Sequence, residues 1–264
     1  MIKRIGFTAV AVLTFSLAAQ SQTKTHSFSE LCVKVKDGKW SEYAAFLRDV
    51  QGPVLRAQVT TGEIFGFAIG MHVIPRGTSA RCDYGISRSY SSFPSSENAQ
   101  ASEAAFKLSG VKMTRDAYIA KQSEYRLIVG QYIWRVHESV GGRLKIGDYV
   151  RSRSNKVKGG MMTDWTTLES SGWKGMAEAA MKTNPGTGWR LLTLSMPGGS
   201  SLPYNARTLD VFPSWSALGA GIPVNALWKT VHPEQDRTAY FNKVNSMTDV
   251  TLIEVMKIID TNTK

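Results

Sequence analysis

Ile64-Phe65-Gly66-Phe67 opens a stretch that runs through Met71-His72-Val73-Ile74-Pro75-Arg76-Gly77-Thr78-Ser79 to Ser89-Tyr90-Ser91-Ser92-Phe93. Gly186-Thr187-Gly188-Trp189 opens a second, which runs through Thr193-Leu194-Ser195-Met196-Pro197-Gly198-Gly199-Ser200-Ser201 to Val211-Phe212-Pro213-Ser214-Trp215. An ungapped offset of 122 residues lays Gly66 on Gly188, Pro75 on Pro197, Gly77 on Gly199, Ser79 on Ser201 and Ser92 on Ser214. It also pairs Phe67 with Trp189, Asp83 with Asn205, Tyr90 with Phe212 and Phe93 with Trp215. Each copy reads as strand, Pro/Gly/Ser turn, strand. Self-similarity at one fixed offset marks an internal duplication, and it governs how the rest of the chain is read.

Outward from the first hairpin, Leu31-Cys32-Val33-Lys34-Val35-Lys36 alternates with period two and reads as a strand. Tyr43, Phe46, Leu47, Val50, Val54, Leu55 and Val59 recur at three and four, the spacing of a helix from Trp40 to about Thr60. Pro53 should bend or split that helix near Gln51-Gly52. Hairpin strands follow near 64–74 and 82–90, then helical stretches at 97–108 and 113–125, then a β-rich run from Arg126 to His137. The order is βαββαβ, that of a ferredoxin-like unit.

The second half repeats it. Asp148 to Lys156 aligns without gaps on residues 31–39, laying Lys34 on Arg151 and Lys36 on Arg153. Residues 161–182 read as a helix weakened by Gly172 and Gly175. Strands follow at 188–196 and 204–212, a broken helix at 215–231, a short helix at 233–245 and a closing strand from Val250 to Ile259. The expected organisation is a signal peptide over 1–21 and ferredoxin-like repeats over 28–138 and 143–262.

The N-terminal expectation rests on Lys3-Arg4, the apolar run from Ile5 to about Ala19, and small residues at Ser16, Ala18, Ala19 and Ser21. That is the pattern of a secretory signal, too short to be a spanning helix. The mature chain is expected to be soluble, secreted or periplasmic, and without a membrane span. Losing Lys3 and Arg4 and no acid would leave 30 basic against 21 acidic residues, a charge of +9. The basic cluster Arg143, Lys145, Arg151, Arg153, Lys156 and Lys158 lacks interleaved aromatics and any nucleic-acid motif, so no nucleic-acid partner is expected.

Element order and the repeated hairpin resemble the dimeric α/β-barrel group. That group includes small monooxygenases of the antibiotic-biosynthesis type, EthD-like proteins and chlorite-dismutase-like haem proteins. The chain looks like an exported tandem member of it: an α+β protein whose two βαββαβ repeats pack their bare sheet faces together as an intrachain dimeric α/β-barrel. The resemblance implies a ligand site inside the barrel or between sheet and helices. It also admits haem as a cofactor.

This topology makes the first and third strands antiparallel neighbours. With Cys32 beginning one and Cys82 beginning the other, they should lie roughly 15–20 Å apart. A disulfide needs Cα atoms within about 7 Å, so two free thiols are expected, and a bond between them would count against this strand order. Val33 and Val35 suit the helix side. Lys34, Lys36, Arg151 and Arg153 should therefore point the other way, into the barrel, where either Asp210 and Glu254 answer them or the cations lie at its open ends.

Candidate catalytic residues are His72, His137 and Arg135. A histidine on a strand facing a pocket could serve as a general base or a haem ligand. The plainer reading is a satisfied core or surface histidine. Candidate ligand-binding residues are Lys34, Arg151, Tyr84 and Trp134, the cations for an anion and the aromatics for a flat organic ligand. Core packing is the plainer reading of the aromatics. No HxxxH, CxxC or acidic cluster with metal spacing is present, and no GxSxG, P-loop or GxGxxG. The expected function is binding of a small organic or anionic ligand in or beside the barrel. The alternative is a cofactor-free or haem-associated monooxygenase-like enzyme. Oligomeric state is left open by the sequence.

Overall fold

The computed structural model describes residues 27–76, 79–94, 100–199 and 201–263. The signal-peptide segment 1–21 lies outside the described residues, as does part of each hairpin connection.

The first half comprises β1 (Ser27–Val35), α1 (Trp40–Phe46), α2 (Gly52–Thr61), β2 (Gly66–Ile74), β3 (Tyr84–Tyr90), α3 (Glu103–Leu108), α4 (Arg115–Tyr125) and β4 (Arg126–Val140). The second comprises β5 (Tyr149–Val157), α5 (Met162–Thr183), β6 (Gly188–Met196), β7 (Ala206–Phe212), α6 (Trp215–Ala220), α7 (Val224–Val231), α8 (Arg237–Met247) and β8 (Thr248–Thr263). The first helix is divided at Gln51-Gly52, where Pro53 was expected to bend or split it. A π-helical turn, Leu47–Gln51, joins α1 to α2 and places Pro53 in the first turn of α2, where a missing N–H costs little.

All eight strands are antiparallel and close into one barrel in the order β1-β3-β2-β8-β5-β7-β6-β4. The first half contributes β4-β1-β3-β2 and the second β8-β5-β7-β6. They are joined edge to edge by the β2–β8 and β4–β6 ladders. Closure removes every exposed sheet edge.

Alternation assigns each strand two faces. On β1, Leu31, Val33 and Val35 pack outward against Tyr43, Phe46 and Leu55 under α1 and α2. Phe28 and Glu30 face the barrel interior. In the second half Trp165, Trp173 and Met176 of α5 pack with Trp189, Trp228 and Tyr240 outside the barrel. The interior is filled by Trp134, Val136, Val150, Leu192, Leu209 and Ile258.

Several backbone contacts recur at the 122 offset. Asp83 Oδ2 accepts from the Val35 N–H at 2.8 Å, and Asn205 Oδ1 from the Val157 N–H at 2.7 Å. The Asp83 N–H donates to Val33 O at 2.7 Å and the Asn205 N–H to Asn155 O at 2.9 Å. The Lys36 N–H reaches Tyr125 O, and the Lys158 N–H reaches Met247 O, both at 2.9 Å.

Two expectations are corrected. Cys32 and Cys82 form a disulfide with Cα atoms 5.2 Å apart. The strand order stands, since β1 and β3 are antiparallel neighbours. The error lay in where the strand begins. β1 starts at Ser27, so Cys32 falls near its end, beside the start of β3, with Val33 opposite Tyr84. The Asp83 carboxylate then ties the chain back to Val35, bringing Cys82 against Cys32.

The second correction concerns Arg151 and Arg153, which face the helix side. Val150 takes the interior face, and Arg151 pairs with Asp210 at 2.9 Å on the outside. Laying Lys34 on Arg151 uses an offset of 117, five short of the 122 at which the hairpins and these backbone contacts align. An odd slip moves every side chain to the opposite face. The partner of Lys34 at 122 is Lys156.

Candidate functional site

A cavity of about 400 Å³ opens at the end of the barrel where β1 starts and β8 finishes. It exists because interior positions there are small on one side, with Ala68, Gly70, Gly85, Ser87 and Ser89 on β2 and β3. Phe28, Val150, Leu209, Met256 and Ile258 supply apolar walls. Gly70 and Gly85 have a direct reason to be glycine, since a Cβ on either would press on the Met256 side chain.

The floor is polar. Glu30 accepts from Arg207 Nη1 at 2.6 Å and from Trp134 Nε1 at 2.9 Å. The Arg207 guanidinium lies 4.2 Å from the Trp134 ring centroid and 5.7 Å from that of Tyr204, and the two rings stack with centres 6.2 Å apart. Burial alone would raise the Glu30 carboxyl. Arg207 and Arg81 outweigh it and hold the group below the usual carboxylate range. The floor is therefore an ionised pair, internally satisfied on the carboxylate side.

Arg190 differs. It lines the cavity from β6, is half-buried, and has no ion-pair or hydrogen-bond partner among the described residues. Burial lowers its pKa, with no carboxylate opposing that shift. A guanidinium next to apolar walls without a counter-charge is costly to leave empty and well suited to a carboxylate or sulfonate. Arg143 stands at the mouth, where its Nη1 donates to Thr263 O at 2.9 Å.

At the opposite end the barrel is plugged. Arg81 donates to the Tyr132 and Tyr204 hydroxyls at 3.0 and 2.9 Å and to Glu254 Oε2 at 3.1 Å. His72 Nδ1 lies 3.5 Å from Glu254 Oε1, and both side chains are almost wholly buried. Burial is the main cause of a lowered His72 pKa, with Glu254 opposing it.

The sequence-derived candidates are therefore scattered. Trp134 is in the barrel floor. Lys34 sits at the plugged end, 3.1 Å from Asp83. Tyr84 points outward, edge-on to Tyr43, in the core beneath α1. Arg151 is outside with Asp210. Arg135 is exposed on the outer face of β4. His137 is outside too, its Nε2 2.8 Å from Thr193 Oγ1, at the rim of an open depression against α5. Burial and Arg135 lower its pKa. His72, His137 and Arg135 do not converge on one site. Glu30, Arg81, Arg190 and Arg207 were missed. Glu30 was hidden because it lies before Leu31, in the part of β1 that only the ladders with β3 and β4 define.

A closed antiparallel barrel of eight strands with its helices outside and an internal cavity is the architecture of dimeric α/β-barrel proteins. Solved structures similar to this chain include a candidate monooxygenase from Lactobacillus acidophilus (12% identity, TM-score 0.51, covering 90% of this chain and 95% of that one). Another is a candidate monooxygenase from Fusobacterium nucleatum (10% identity, TM-score 0.52, covering 91% and 94%). A third is an anthrone oxidase-like protein (12% identity, TM-score 0.52, covering 92% and 94%). At these identities the likeness is one of fold. No family model matches the chain, and no curated protein matches it in sequence.

Proposed function

We propose that this is a binding protein for a small organic anion, held in the barrel cavity with its apolar body against Phe28, Leu209 and Met256 and its charge on Arg190. The observation that carries the reading is the Arg190 guanidinium, which lines an apolar-walled cavity without a counter-charge among the described residues. The cavity volume is in the range of small-molecule sites.

The barrel that forms the site is built from two copies of one βαββαβ unit within a single chain, over 28–138 and 143–262. The matched contacts of Asp83 with Val35 and Asn205 with Val157 support this, as does the shared strand order of the halves. The protein acts outside the cytoplasm, after removal of residues 1–21. The buried Cys32–Cys82 disulfide supports an oxidising compartment. Among the described residues no helix is long and apolar enough to cross a membrane.

The names of the fold neighbours raise monooxygenase chemistry as the alternative. One fold hosts many activities, and a shared fold carries no reaction by itself. Haem does not fit the cavity, because no histidine, cysteine or tyrosine is among the described residues that line it to serve as a proximal ligand.

Titration with 8-anilinonaphthalene-1-sulfonate, an aromatic anion, tests the reading. The native protein should bind one equivalent with enhanced fluorescence, and Arg190→Gln should weaken binding about tenfold while leaving the far-UV circular dichroism unchanged. Equal binding by the variant would refute the role given to Arg190.

A further inference from the structure

The plugged end of the barrel holds a group of side chains that the anion site does not use. One nitrogen of His72, Sγ of Cys82 and one carboxylate oxygen of Glu254 all lie within 4.8 Å of one another, and all three residues are buried. Cys32 Sγ, bonded to Cys82, lies outside that group and becomes available as a fourth donor only when the S–S bond is cleaved. The polar atoms here are unspent. Both ring nitrogens of His72 and Oε1 of Glu254 are buried without a hydrogen-bond partner. Glu254 Oε2 is held by Arg81 Nη2 at 3.1 Å, which leaves Oε1 directed at the histidine. Leaving three such atoms buried and unsatisfied is costly, so the cluster calls for an occupant. At the 122 offset the corresponding positions are Ser154, Leu194, Tyr204 and Tyr132, so the donor set occurs once.

We infer that Cys32, Cys82, His72 and Glu254 form a divalent-metal site of the zinc class that the Cys32–Cys82 disulfide keeps locked. Reduction by a dithiol transfers two electrons and two protons to the disulfide. It gives two thiols, and the dithiol becomes a disulfide. Metal binding then displaces both thiol protons to solvent, leaving two thiolates, an imidazole and a carboxylate around the ion. That donor set suits tetrahedral zinc. Metal–ligand bonds of about 2.0–2.3 Å put tetrahedral donors roughly 3.5 Å apart, so His72, Cys82 and Glu254 must draw together by about 1 Å and Cys32 Sγ must move in beside them. Cleaving the S–S bond frees both sulfurs to do so. In the oxidised protein only His72 and Glu254 remain as donors, too few for tight binding.

Cobalt(II) reports this directly. The full protein is reduced with a phosphine, desalted without oxygen and titrated with Co²⁺, alongside the oxidised protein. One equivalent should give the reduced form a near-ultraviolet thiolate-to-cobalt band and intense visible bands of tetrahedral cobalt, and the oxidised form neither. His72→Gln and Glu254→Gln should each weaken Co²⁺ binding at least about tenfold and alter the visible bands, since losing even a hydrogen-bond partner of a ligand costs that much. If reduction alone unfolds the chain, one equivalent of Co²⁺ has to restore the native circular dichroism. Absent bands, no restoration, or unchanged binding by both variants would overturn the inference.

Discussion

Glu169 of α5 sits where a carboxylate is hard to keep charged. Burial raises its pKa to about 8, with Arg153 opposing the shift and Asp210 adding to it. The folded carboxyl thus holds its proton above pH 4.5, where the unfolded one releases it. This term therefore erodes stability as pH climbs from about 4.5 to about 8, and is level above that. Glu169→Gln should be near neutral at pH 5 and stabilise by roughly 2–4 kcal/mol at pH 8.5, measured by thermal unfolding at both values. Glu30 behaves oppositely. Glu30→Gln would leave the Arg207 charge buried without its partner, and should cost about 3–5 kcal/mol in urea unfolding at neutral pH. At this scale the sequence shows residue types but not their partners. Glu30 and Arg207 are 177 positions apart, and only barrel closure makes them neighbours.

Among the elements, α5 carries a glycine that helix propensity alone disfavours. Gly172 is required because the Tyr240 ring and hydroxyl of α8 lie where a Cβ would go. Gly172→Ala should therefore destabilise by about 1–3 kcal/mol despite the gain in propensity. Gly219→Ala in α6, with open space around it, should instead gain about 0.5–1 kcal/mol. Calorimetry of the two variants separates packing from propensity. Most elements were legible because their periodicity is local. Val54, Leu55 and Val59 mark α2, and Leu31, Val33 and Val35 mark the outer face of β1. Strand starts were less so. Ser27 and Ser29 belong to β1 through ladders with β3 and β4, a cause that lies far along the chain. That missed start misplaced Cys32, and with it the disulfide.

For the whole molecule, the repeated hairpin made the barrel architecture legible, while the cavity was not. Its existence depends on small interior positions on β2 and β3, with Gly70 and Gly85 both against the Met256 side chain of β8. If the two halves are copies that cover each other's inner faces, residues 27–140 alone would bare Phe28, Glu30 and Trp134 and the edges of β2 and β4. That fragment should dimerise or aggregate in light-scattering chromatography, and a stable folded monomer would contradict the duplication. The central claim, that Arg190 selects an anion in an apolar cavity, is tested most directly by calorimetric titration with 2-naphthoate and its neutral amide. The native protein should prefer the carboxylate by about tenfold or more, and Arg190→Gln should erase that preference while keeping its affinity for the amide. Equal affinities in the native protein, or a preference that survives the substitution, would contradict the account.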